Sequence, residues 1–267
     1  VLIALGVVYN GFFKMDFENL RVCSVLGRIG LAWAFAAVFF INFSTKVRAI
    51  IAAVILVGYW LLVCYVPAPD VPGAAALSLE GNLVGYVDRM ITPGALHKGF
   101  FDPEGLLSTL PAVVTAMLGM FTGEFIRKEG IEGSKKAGYM GLASLAMLAV
   151  GLLWSLEFPV NKALWSSSFV LVVGSYSLAM FALFYFIIDV KGWKKWTLPF
   201  TVIGMNSITI YMAQRIIPFR KISGFFLDGI AAEMPEHWAK ILLSAGALLV
   251  SWLFLYFLYR KKTFLKV

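Results

Sequence analysis

Two arginines, Arg21 and Arg28, stand seven residues apart in Leu20-Arg21-Val22-Cys23-Ser24-Val25-Leu26-Gly27-Arg28-Ile29-Gly30. That spacing sets both on nearly one face of a helix, two turns apart. A guanidinium presents a planar fork of N–H donors that suits phosphate oxygens. Inside an apolar helix it faces a partner or a watery cavity, because an unpaired charge in hydrocarbon is costly. Arg28 takes the deeper position. Two roles are open to it, a structural ion pair with Glu124 or with an acid ahead of Val1, or a grip on an anionic ligand.

A second group is spread over Asn82-Leu83-Val84-Gly85-Tyr86-Val87-Asp88-Arg89, His97, and Phe101-Asp102-Pro103-Glu104-Gly105-Leu106-Leu107-Ser108-Thr109-Leu110-Pro111. Capping explains part of it. Asp102 suits an N-cap, Pro103 the first helical position and Glu104 the positive end of a helix dipole, which predicts a helix from 104 onward. The other reading is a pocket in which Asn82, Tyr86, Asp88, Arg89, His97, Asp102 and Glu104 hydrogen-bond a polar sugar. His97 is either a surface residue or a proton acceptor. His97 and His237 are the only histidines, and neither has metal-ligand spacing to a second His or Cys, so no metal is expected. A third group, Gly204-Met205-Asn206-Ser207-Ile208-Thr209-Ile210-Tyr211, puts Asn206, Ser207 and Tyr211 at membrane depth. Helix–helix hydrogen bonding and ligand contact both fit it. Gly119 and Gly123 read as packing positions, and P-loop, serine-hydrolase and zinc-protease motifs do not occur.

The elements that must position these residues are membrane helices. Of the 267 residues 60% are hydrophobic and 14% charged, with a mean hydropathy of +0.84, whereas soluble domains carry about a quarter charged residues. The net charge of +8 sits in short breaks between apolar runs, not on a polar domain, which excludes a nucleic-acid-binding protein. Apolar runs near 1–11, 22–43, 49–67, 104–127, 137–155, 165–188, 197–214 and 238–259 are long enough to cross a bilayer, apart from the first. No strand alternation appears, so the expectation is an all-α polytopic bundle of about eight helices forming a single transmembrane domain over 1–267. Val1 to Gly11 lacks the basic flank of a signal peptide, so the numbering is expected to begin inside a helix whose upstream part lies outside this sequence.

Every second break is basic. Lys46 and Arg48, then Arg127, Lys128, Lys135 and Lys136, then Lys191, Lys194 and Lys195, and finally Arg260, Lys261, Lys262 and Lys266 fall on the cytoplasmic side by the positive-inside rule, the C-terminus with them. The segments 12–21, 68–103, 156–164 and 215–237 then face outward. The loop 68–103 is long, and its apolar residues predict an ordered, partly amphipathic segment at the outer mouth. Cys23 and Cys64 read as small buried hydrophobes, with a membrane-edge disulfide as the alternative.

Taken in order, the Arg21 to Ala32, Asn82 to Arg89, Phe101 to Pro111 and Gly204 to Tyr211 stretches resemble the family of the heparan-α-glucosaminide N-acetyltransferases. Asp102-Pro103-Glu104-Gly105-Leu106-Leu107-Ser108-Thr109 is the most specific block. It is similar to the helix entry after the large outer loop in bacterial members, some of them labelled N-acetylglucosamine-related transporters. The resemblance implies a membrane enzyme that takes acetyl from acetyl-CoA and delivers it to the amine of a glucosamine-type sugar or glycan across a bilayer, in a bacterial inner (plasma) membrane. It further implies cofactor contacts at Arg21 and Arg28 and substrate contacts at Asn82, Tyr86, Asp88, Arg89, His97, Asp102, Glu104 and Asn206, with the family's catalytic histidine in a segment ahead of Val1. Cys23, Ser24 and Gly27 depart from the family's Pro, Gly and Gln. The rival reading is a transporter of N-acetylglucosamine or a related sugar, and a homodimer is left open.

Overall fold

The computed structural model describes residues 1–97 and 99–265; Lys266, counted above in the last basic break, lies outside them. Among the described residues the regular elements are all helices, with two isolated β-bridges, Arg21 to Gly94 and Pro67 to Asn82. It divides into two compact units, Val1–Gly192 and Trp193–Val267.

The first unit holds α1 (Leu2–Tyr9), α2 (Val25–Asn42), α3 (Thr45–Tyr65), α4 (Leu83–Ile91), α5 (Thr109–Arg127), α6 (Gly133–Trp154) and α7 (Ser167–Phe184). The second holds α8 (Leu198–Gly204), α9 (Ser207–Ile216), α10 (Phe219–Ala232) and α11 (Glu236–Arg260). Among the described residues six helical segments are long and apolar enough to span a membrane, namely α2, α3, α5, α6, α7 with its continuation to Val190, and α11. The chain is an integral membrane protein.

Each of the eight apolar runs forms helix, and two of them depart furthest from the expected spans. The first run gives only eight residues of helix. The run 197–214 is broken at Met205 and Asn206, where Asn206 leaves helical geometry (φ −130°, ψ 29°); asparagine competes with the helix backbone through local hydrogen bonds. A third difference concerns 215–237, expected as a loop, which contains α10. Phe219, Ser223, Gly224 and Ala231 form its buried face, and it packs extensively on α11.

The core of the first unit lies where α2, α3, α5 and α7 meet. Ala36 of α2, Leu56 of α3, Val113, Val114 and Met117 of α5 and Val170 of α7 are buried there. Small residues on α2 let α5 approach closely, so the polar mouth described below rests on a rigid wall. A smaller cluster, with Tyr59, Val63, Val84, Phe158 and Leu164, joins α3 to α4 and to the segment between α6 and α7.

Candidate functional site

Sequence-distant charged residues meet at the end of the first unit that the charge pattern assigns to the outside. Arg21 precedes α2 in an extended stretch. Asn10 holds that stretch by donating from Nδ2 to the carbonyls of Arg21, at 2.8 Å, and Cys23, at 2.9 Å. Arg21 pairs across the isolated bridge with Gly94, which has φ +77° and whose Cβ, were there one, would strike the Leu20 carbonyl. From there Arg21 donates Nε to Asp102 Oδ2 and Nη2 to Asp102 Oδ1, both at 2.6 Å, and a further bond from Nη2 to Glu104. This is the forked geometry in which arginine grips a carboxylate most strongly.

Asp102 is fully buried. Burial by itself pushes its carboxyl up, but the Arg21 fork and the backbone N–H groups of Glu104 and His97 outweigh that and hold it below its ordinary range. The same Arg21 is held firmly charged by the Asp102 bonds, against the opposing effect of its own burial. Asp88, on α4, is also fully buried. It accepts the N–H of Asp102 at 3.1 Å and that of Leu106 at 2.9 Å. Burial pushes its carboxyl up to about 6 against the pull of those two N–H groups. Gly105 lies against this carboxylate so closely that any Cβ would collide with it.

These bonds correct the expected helix start. Asp102 is not the N-cap of a helix entered through Pro103. Its side chain accepts the Glu104 N–H at 2.9 Å within a tight turn, and α5 begins only at Thr109. Asp88 and Arg21 together draw 102–106 out of helical geometry, because two buried carboxylates need those N–H groups.

Arg28 sits one turn into α2 and is 4% exposed. It donates Nη2 to Ser108 Oγ and, at 3.5 Å, to the Gly105 carbonyl, and its guanidinium carbon lies 4.8 Å from the Trp165 ring centroid. Its Nε and Nη1 have no hydrogen-bond partner among the described residues. The structure also overturns the Arg28–Glu124 pairing weighed from the sequence. Glu124 binds Arg48 instead, at 2.7 Å, near the opposite end of the unit.

The remaining expected site residues divide into frame and rim. Asn82 caps α4 by accepting the Gly85 N–H at 2.7 Å and donates to the Ser78 and Leu79 carbonyls, so its side chain is spent on the loop. Arg89 forks onto Asp70 at 2.7 and 2.8 Å and donates Nη1 to Phe100 O at 2.6 Å. Tyr86 is half-buried on α4, and His97 is exposed, joining the cluster through its backbone N–H to Asp102 at 3.2 Å. Cys23 and Cys64 are unpaired, and the Cys23 thiol is pushed up to about 11 by burial, then by the charges of Asp102 and Asp88. Asn206 belongs to the second unit, buried at the break between α8 and α9. Its Oδ1 accepts from Thr209 at 3.3 Å and its Nδ2 has no partner among the described residues.

Sequence reasoning missed Ser108, Trp165 and Asp70. Ser108 stands inside the quoted Asp102 to Pro111 block, and its spacing from Gly105 was the available signal. Trp165 reaches Arg28 through a left-handed backbone (φ 53°) and donates Nε1 to Thr115 Oγ1 at 3.2 Å, which no local pattern announces.

No protein-family model matches the chain. Over its whole length it is 26% identical to the heparan-alpha-glucosaminide N-acetyltransferase of Homo sapiens, and likewise 26% identical to that of Mus musculus. The chain groups with these N-acetyltransferases as a distant relative. It covers 48% of each of them, so it spans about half the length of the curated relatives it matches.

Proposed function

We propose that this chain forms the substrate mouth of a membrane acetyltransferase that moves acetyl from acetyl-CoA to the amine of a glucosamine-type sugar. The observation that carries the reading is Arg28, a buried cation behind a polar rim with two unused donor nitrogens and, unlike Arg48, no carboxylate in contact. Leaving such donors dry is costly unless a ligand oxygen meets them in the working state.

Acylation of an amine passes through a tetrahedral centre whose oxygen carries growing negative charge, and fixed donors aimed at that oxygen lower the barrier. Arg28 fits this role better than that of a phosphate clamp. Its place on the outer side is where the acetyl end of a donor entering from the cytoplasm is met, and the Trp165 ring and Ser108 fix the guanidinium plane. Arg21 acts as a positioning residue, because its fork is occupied by Asp102 and Glu104. Asp88 has both oxygens engaged, so the cluster supplies charge and shape and not the base. Glu104, His97 and Tyr86 stand on the accessible rim, where a sugar's hydroxyls can be bound.

Both relatives are named as acetyltransferases, which favours transfer over transport. The interruption between α8 and α9 is the one observation on the side of transport, since broken helices line many transporter sites. Free-thiol release from acetyl-CoA in detergent-solubilised protein, with and without glucosamine, tests the reading. Amine-dependent release supports it; folded protein that neither releases thiol nor binds acetyl-CoA, yet binds N-acetylglucosamine, replaces it with transport.

A further inference from the structure

A second feature of the first unit begins at Thr115, which holds the Trp165 indole facing Arg28, and runs along α5 away from the polar mouth. Between α5, α6 and α7 is a cavity of about 740 Å³ lined by Gly119, Gly123, Ile126, Ala143, Met147 and Gly174 among others. It exists because α6 and α7 pack closely on each other while α5 touches α6 at few positions, and because the facing positions are small. A side chain added at Gly119 would enter open space.

The lining is predominantly apolar, with Thr115, Thr122, Tyr139 and Ser177 as its polar side chains. The Thr115 and Thr122 hydroxyls turn back on their own helix, donating to the Pro111 carbonyl at 3.3 Å and the Leu118 carbonyl at 2.9 Å. Water, a sugar or a nucleotide would find few partners there, and a site without polar partners holds hydrocarbon. Its length points the same way. The lining runs along α5 from Thr115 to Ile126, about 16 Å at the helical rise of about 1.5 Å per residue, while one leaflet of a bilayer core is about 15 Å deep.

The lower end of the cavity is basic. Lys136 is buried and donates Nζ at 2.5 Å to the carbonyl of Ile126, a residue of the lining. Arg127, Lys128 and Lys135 stand exposed beside it, against Glu129 and Glu132. We propose that the cavity holds one acyl chain of an anionic phospholipid of the cytoplasmic leaflet, with the phosphate held by Lys128 and Lys135. Apolar volume, one-leaflet depth and a cationic end are the three features such a lipid needs together.

Native mass spectrometry of the protein, titrated with phosphatidylglycerol and with phosphatidylcholine of identical acyl chains, tests this. The expected result is one retained phosphatidylglycerol, bound more tightly than phosphatidylcholine. Gly119→Leu is expected to remove the bound lipid. Lys128→Gln and Lys135→Gln, both at exposed positions, are each expected to weaken phosphatidylglycerol by about fivefold and to leave phosphatidylcholine unchanged. Unaltered binding in Gly119→Leu, equal affinity for the two lipids, or displacement of the lipid by acetyl-CoA would each overturn the proposal. The readout is lipid binding and stands whether or not acetyl transfer is found.

Discussion

Arg28 and Arg48 are both buried within apolar helices of the same unit, at 4% and 5% exposure, yet their surroundings differ. Arg48 meets a carboxylate directly, Glu124 at 2.7 Å, takes Thr45 as a second acceptor at 2.9 Å, and lies against the rings of Phe40 and Phe121. Arg28 meets only neutral oxygens and one indole face. The carboxylates whose charge it feels, Glu104, Asp102 and Asp88, are claimed by Arg21 and by backbone N–H groups. A charge neutralised by contact is a structural joint. Both guanidiniums leave Nε and Nη1 without a partner among the described residues, so what separates a binding group from a brace here is that the charge of Arg28 has no carboxylate in contact with it.

The difference is broken most severely at Arg48. Arg48→Ala leaves the half-buried Glu124 without its cation and is expected to cost about 3 kcal/mol, the lower end of the range for a buried pair, whereas Arg48→Met with Glu124→Leu removes both charges and restores most of that stability; thermal unfolding in detergent measures both. At Arg28 the pattern is expected to invert. Arg28→Ala lowers amine-dependent thiol release by about 10²–10³-fold, the usual effect of losing one donor to a developing oxyanion, with a much smaller change in unfolding temperature. Gly105→Ala forces a methyl group onto the Asp88 carboxylate and is expected to cost about 1–3 kcal/mol, as overpacking does, read as a lowered unfolding temperature.

The smallest effect sharpens the account of the outer frame. The Asp88 carboxyl, raised to about 6 from about 3.9 in the unfolded chain, binds its proton more readily in the native state. Its contribution to stability therefore falls as pH rises from about 4 to about 6. Asp102, shifted downward, contributes the opposite way, losing stability as pH drops below about 4. Unfolding temperatures across pH 4 to 7 in the wild type and in Asp88→Asn check this, and the decline above about pH 4 is expected to flatten in the variant.

Much of the architecture was legible in residue type alone. Long apolar runs fix helices because a chain in lipid has to satisfy its own backbone, and the Arg21, Asp88, Asp102 and Glu104 set was visible as charged groups crowded about an apolar entry. The partners were not. Capping rules placed Asp102 at a helix start, but a buried carboxylate on another helix, Asp88, takes the N–H groups a helix would have left free. Arg28 and Glu124 looked like partners because each is an isolated charge in a long apolar run. Which acid lies opposite depends on helix register between α2, α3 and α5, and single-residue patterns do not carry that. The break at Asn206 was readable as polarity and not as geometry, since an asparagine within an apolar run reads equally as a helix contact or a helix end.

The most direct test compares the two arginines in one assay. Amine-dependent release of free thiol from acetyl-CoA would be measured for wild type, Arg28→Ala and the Arg48→Met/Glu124→Leu pair, each normalised to folded protein. Near wild-type release is expected in the double variant, and loss of about two orders of magnitude or more in Arg28→Ala. Retained release in folded Arg28→Ala would contradict the role assigned to Arg28.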